Sequence, residues 1–182
     1  MNSIFIKSTD SLLYSDFSAT YCKSFPIFEQ RTRTQQQVAF ADNRYRLRAF
    51  TDDSGQFVGF IAYWLFDSYV YVEHFAIAPN RRGKGEGSTI LTDFLREADN
   101  ANLTTILEID PPKDSVSVLR QQFYERAGMS INPFRHQHPP YRAGFKAHEL
   151  RIMSAPTMLT EEDFYRFQND LKEIVMRKTT DC

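Results

Sequence analysis

Residues 69–88 read YVYVEHFAIAPNRRGKGEGS, and this stretch decides the fold: a strand-forming run closed by Pro79, then a loop of alternating glycines, then the start of an amphipathic helix. Within it, Arg81, Arg82, Gly83, Lys84, Gly85, Glu86, Gly87 and Ser88 have the makings of an anion cradle. Glycines let successive backbone N–H groups converge, the helix N-terminus adds partial positive charge, and Arg81, Arg82 and Lys84 bring full charges. The spacing narrows the anion. A Walker A loop needs GxxxxGK[ST], whereas Lys84 precedes the second glycine, so ATP and GTP are disfavoured. A GxGxxG fingerprint starting at Gly83 would place its third glycine at Ser88, and the loop follows several antiparallel-looking strands, which disfavours dinucleotides. The plain alternative is a glycine-rich turn that merely joins strand to helix.

Upstream, residues 45–51 and 57–66 alternate around the turn-forming DDSG at 52–55, which predicts a β-hairpin. Before it lie a short strand at 3–7, a helix over 10–25 ending ahead of Pro26, and a polar, glutamine-rich segment at 28–41 read as a second helix or a mobile segment. Downstream, residues 88–98 carry Ile90, Leu91, Phe94 and Leu95 on one stripe; a strand at 104–109 and a helix at 115–126 stopped by Gly128 follow. The last strands are expected at 129–134 and 147–153, separated by a Pro-, His- and Tyr-rich loop at 135–146. Thr160 then opens a final helix whose apolar face of Phe164, Phe167, Leu171 and Ile174 suits a core or a contact with a second copy of the chain. The order predicts an α/β (α+β) domain with a mixed, mostly antiparallel sheet flanked by helices.

Composition sets outer limits. The 182 residues suit one domain, and 16 Phe and 9 Tyr supply a large aromatic core or cleft. A formal charge of −1 gives no field for nucleic acid or anionic lipid, so neither partner is expected. The uncharged apolar run at 57–66 is about half of the ~20 residues a membrane helix needs. The first residues lack an export signal, so the cytoplasm is the expected compartment. Cys22 and Cys182, at opposite ends and outside any CxxC spacing, are expected as free thiols, and His136 and His138 lack a third ligand at metal-site spacing, so no metal is expected.

Arg82, Gly85 and Gly87 fit [Q/R]xxGx[G/A], FAIAP at 75–79 fits a strand ending, and FYERAGM at 123–129 fits FYxxxGF. Together, in this order, these resemble the GNAT superfamily of acyl-CoA N-acyltransferases; the HFAxxPxxRGKGxGS and LExxPP strings look similar to a bacterial subgroup of it. The resemblance covers residues 1–153 as the acyltransferase domain, and leaves 154–182 as a C-terminal helical extension packed on or beside it. It implies acetyl-CoA as co-substrate, held by Arg82, Gly83, Lys84, Gly85, Glu86, Gly87 and Ser88 at the diphosphate and by backbone at Phe75, Ala76 and Ile77 along the pantetheine arm. One departure is Glu86, where the family usually has an apolar residue.

The implied reaction is direct attack of a primary amine on the thioester in a ternary complex. A base must take the amine's proton, and Glu73 is the expected one; alternation places it on one face with Phe75 and Ile77, while His74 points away and packs. Glu108 and Asp110 compete for that role. Tyr124 resembles the tyrosine that protonates the departing thiolate, and a backbone N–H at or near Ile77 would stabilise the oxyanion. Tyr141 and the 135–146 loop are placed at the acceptor cleft. Left open are another short acyl-CoA as donor, a non-catalytic CoA-binding or regulatory module, and the acceptor itself, a small-molecule or peptide amine.

Overall fold

The computed structural model describes residues 1–177; Cys182 and the end of the expected extension lie outside them. Eight strands, β1 (Asn2–Ile6), β2 (Tyr45–Thr51), β3 (Phe57–Leu65), β4 (Tyr69–Ile77), β5 (Thr104–Ile109), β6 (Ser130–Ile131), β7 (His136–His138) and β8 (His148–Ala155), form one sheet. Its order is β1-β2-β3-β4-β5-β8-β6, with β7 pairing β8. Only β4 and β5 run parallel; every other pairing is antiparallel.

Helices α1 (Tyr14–Ser24), α2 (Arg33–Ala41) and α5 (Glu161–Asp170) cover one face, where Phe17, Tyr21, Phe60, Tyr71, Phe167 and Leu171 share a core. Helices α3 (Glu86–Asn100) and α4 (Ser115–Arg126) serve the other, where Ile90, Leu91 and Phe94 meet Val70, Val72 and Leu107. Local chemistry fixes the helix starts. Thr32 and Gln35 form a capping box on α2, Asp114 and Ser117 one on α4, and the Thr160 side chain accepts from the Asp163 N–H on α5. The segment at 28–41, expected as a second helix or a mobile segment, is a 3-10 turn at Ile27–Glu29 followed by α2, because the chain between them is extended at Gln30 and Thr32. The 135–146 loop contains β7, which the sequence pattern does not announce. No helix among the described residues is long and apolar enough to cross a membrane.

Two irregularities in β4 position everything that follows. Its pairing with β5 ends at Val72 opposite Leu107, although β4 runs on to Ile77 and β5 to Ile109, so the two strands splay. On its other side, Ala62 pairs with His74 while Tyr63 pairs with Val72, which makes Glu73 the extra residue of a β-bulge. Strand alternation is therefore interrupted at Glu73. Tyr71 faces the α1 and α5 core, and Val72 the α3 side; past the bulge, Ala76 faces the α1 core, and Phe75 and Ile77 pack toward α3. This corrects the expected grouping of Glu73 with Phe75 and Ile77. Glu73 instead shares a face with His74, whose Nδ1 lies 3.9 Å from its carboxylate.

Candidate active site

The splay opens a cleft of about 770 Å³ between the C-terminal ends of β4 and β5, walled also by the loop before α3, by α4 and by the segment joining α1 to α2. Ala78 N–H donates to Val58 on β3, so alternation turns the N–H groups of Phe75 and Ile77 the other way, into the opening. Directly beyond, Gly83 and Gly85 take φ of +77° and +81°, a conformation that glycine adopts without strain, and α3 starts with no side chain capping it. Its first N–H groups are free to face the cleft. Gly87 sits so near β4 that an added Cβ would lie 3.1 Å from Ile77 Cγ1.

The three cations of the loop differ in place. Arg82 reaches back over the free edge of β4, donating to the Ile77 carbonyl at 2.9 Å and to Ser24 Oγ at 2.8 Å. Arg81 is held between Asp52, at 2.8 Å, and Glu86. That pairing answers the departure at Glu86: its carboxylate is matched by a guanidinium beside the cradle. Lys84 is exposed and takes no part in the cleft wall, whereas Arg82, Gly83, Gly85, Glu86, Gly87 and Ser88 do.

The Glu73 side chain is buried in the wall with three partners on its carboxylate. Its carboxylate pairs with Arg31 at 2.7 Å and accepts from Trp64 Nε1 at 2.8 Å and the Tyr141 hydroxyl at 3.0 Å. Burial pushes its carboxyl up, but the Arg31 guanidinium, helped by His74 and the hydrogen bonds, holds it below the usual carboxylate range. A carboxylate so held is a poor proton acceptor, and its geometry is that of an anchor for Arg31 and Tyr141. Glu108 is similar: burial opposes its ionisation, yet His138, His136 and the Tyr71 hydroxyl bring its carboxyl down to about 2. Asp110 stands at the rim in an ion pair with Arg120. Tyr124 lies in the cleft wall beside Phe123, and burial pushes its phenol up to about 12.

Sequence reasoning passed over Glu29, which lies in the wall at the end of the 3-10 turn. Burial first, then the charges of Asp110 and Glu108, against the pull of Arg120, push its carboxyl up to about 7. Nothing in the polar run around it signals this, since the groups responsible come from β5 and α4. Arg31, two residues on, was equally invisible as the partner of Glu73.

Residues 11–129 match the family model described as the acetyltransferase (GNAT) family. Among solved structures, the chain is similar to a protein assigned to the GNAT acetyltransferases from Bacteroides thetaiotaomicron, with 26% identity, TM-score 0.87, and coverage of 98% of this chain and 100% of that one. The ribosomal-protein-S18-alanine N-acetyltransferase from Escherichia coli shares the fold at 16% identity and TM-score 0.62, over 89% of this chain and 97% of that one. So does an acetyltransferase from Bacillus subtilis in complex with CoA, at 11% identity and TM-score 0.58, over 84% and 96% of the two chains. No curated protein matches the chain.

Proposed function

The chain belongs to the GNAT acetyltransferase family, and from that premise we propose that it transfers an acetyl group from acetyl-CoA to a primary amine by direct attack in a ternary complex. The observation that carries this reading is the splay of β4 from β5 immediately before the uncapped start of α3. The uncapped N–H groups suit a diphosphate, which Arg82 can reach on letting go of Ser24 and the Ile77 carbonyl, and the β4 edge so cleared suits an extended amide-bearing arm added as an extra strand. Gly87 permits the close packing of α3 on Ile77 that brings the two features together.

In this reading the Ile77 N–H, turned into the opening, donates to the oxyanion as the amine nitrogen bonds to the thioester carbon. The C–S bond then breaks, Tyr124 gives its phenolic proton to the departing sulfur, and the proton that the acylated nitrogen sheds goes to solvent, from which the Tyr124 phenolate regains one. With its phenol pushed up to about 12, Tyr124 stays protonated until that moment. Glu73 acts as a positioning residue: it fixes Arg31 and Tyr141 and takes no proton. The cytoplasm is the proposed compartment.

Calorimetric titration with acetyl-CoA tests the reading. Micromolar binding is expected, weakened at least about tenfold in Arg82→Ala. Tyr124→Phe should keep the affinity while thiol release against a panel of amines falls by about a hundredfold. Failure of the native protein to bind acetyl-CoA would sink it.

A further inference from the structure

Part of the cleft wall has no role in the acyl-transfer steps above, and it is assembled from three segments distant in sequence. Glu29 is pinned by its backbone: its carbonyl oxygen accepts from His74 Nε2 at 3.0 Å and from the Tyr21 hydroxyl at 3.4 Å, which leaves the carboxylate as the free end. From β8, His148 brings Nε2 to 3.8 Å from a Glu29 carboxylate oxygen, too far for a hydrogen bond, and that nitrogen is buried without a partner. From β7, His138 lies with its ring 5.7 Å from that of His148. It is only 2% exposed.

One ring nitrogen of His138 is fixed by its neighbour. Its Nδ1 is 2.6 Å from the Pro139 carbonyl oxygen, which can only accept, so the ring donates from Nδ1. Its Nε2 is likewise buried without a hydrogen-bond partner, 3.7 Å from a Glu108 carboxylate oxygen. Glu29, His138 and His148 all line the cleft. The free carboxylate end of Glu29 in the cleft wall suits a ligand that brings N–H donors and a positive charge, and the unpartnered His138 and His148 nitrogens leave polar capacity in the same wall. An anion would meet the Glu29 carboxylate, and a wholly apolar ligand would leave it unmatched. Phe28, edge-on to His148 at 5.7 Å between ring centres, adds an apolar flank to the same wall.

We infer that Glu29, His138 and His148 form the acceptor subsite, which takes a primary ammonium carried on an apolar body of aryl size, with Glu29 as its anchor and proton acceptor. The ammonium gives one proton to the Glu29 carboxylate, leaving a neutral carboxyl and a free amine lone pair, and the proton passes to solvent afterwards. Glu29 is suited to this because its carboxyl titrates at about 7, among His74 from β4, Glu108 and Asp110 from β5, Arg120 from α4, His138 from β7 and His148 from β8. The word acceptor rests on the acyl-transfer reading; the ammonium site stands on these side chains alone.

The test is calorimetric titration of benzylamine, with benzyl alcohol as its uncharged counterpart, into the native protein and Glu29→Gln at pH 8, beside acetyl-CoA titrations of both. Benzylamine is expected to bind the native protein and to bind Glu29→Gln at least about tenfold more weakly, with benzyl alcohol unable to tell the two apart. Equal affinity of benzylamine for both proteins, or no binding to the native one, overturns the subsite. If benzylamine discriminates while neither protein binds acetyl-CoA, the ammonium site stands and the acyl-transfer reading falls.

Discussion

Glu29 and His74 are joined by a hydrogen bond, yet they respond to pH in opposite senses. His74, with its pKa drawn down from 6.5 to about 4 by burial, contributes stability that is present above 6.5 and lost as pH falls through 4. Glu29, raised from 4.5 to about 7, contributes stability that is present below 4.5 and lost as pH rises through 7. Between 4.5 and 6.5 the two slopes cancel. Replacing Glu29 with Gln removes one of them, so the variant should gain stability over the native protein as pH rises, by up to ~1.4 kcal/mol per pH unit. Urea unfolding at a series of pH values measures this; parallel curves for the two proteins would show that Glu29 titrates in the ordinary carboxylate range. The same residue marks the limit of sequence reading at this scale. Tyr124 and the loop glycines stand at fixed spacings along one segment and could be found from it, whereas Glu29 owes its character to β5, α4 and β8, which no local spacing reveals.

Strands β2 to β5 and helices α3 and α4 follow from alternation, apolar stripes and turn residues, and the structure has them within a few residues of the expected bounds. Of the features that did not follow, two bear on the site. The bulge at Glu73 is a property of the pairing between β3 and β4, so a count along β4 alone carries alternation straight through it. Strand β7 is only three residues in a proline-rich stretch, and its pairing with β8 rather than its composition makes it a strand. Packing between β3 and β4 gives a prediction of its own. A Cβ on Gly59 would lie 2.5 Å from the Ala76 carbonyl oxygen, which is backbone and cannot turn aside, so Gly59→Ala should cost about 2 kcal/mol or more and distort the edge of β4. Gly87→Ala meets the movable Ile77 side chain at 3.1 Å and gains up to about 1 kcal/mol of helix propensity, so it should stay within ~1 kcal/mol of the native protein. Thermal and urea unfolding of both variants will decide; a harmless Gly59→Ala would mean that β3 and β4 can part at this point without loss.

At the scale of the whole molecule, the final helix is part of the core. Phe164, Phe167, Leu171 and Val175 pack with Tyr69, Tyr71 and Trp64, and the rings of Phe167 and Tyr71 lie 5.1 Å apart. The apolar stripe was legible in sequence, but the choice between core and a second copy was not, because its partners come from the middle of the chain. At roughly 2 kcal/mol for each of those side chains, their loss is comparable with the ~5–15 kcal/mol that holds a typical domain folded. A chain ending at Ala155 should therefore be unfolded by circular dichroism and open to proteolysis throughout; a cooperative melt close to that of the full chain would refute this. The bulge, finally, has a meaning for anyone who recombines this protein with a related one. Residue 73 acts as a frame marker in β4: a crossover on either side of it must inherit the odd residue, since a chimera that drops or doubles it inverts every side chain on one flank of the junction, core for cleft, even where the aligned letters look interchangeable.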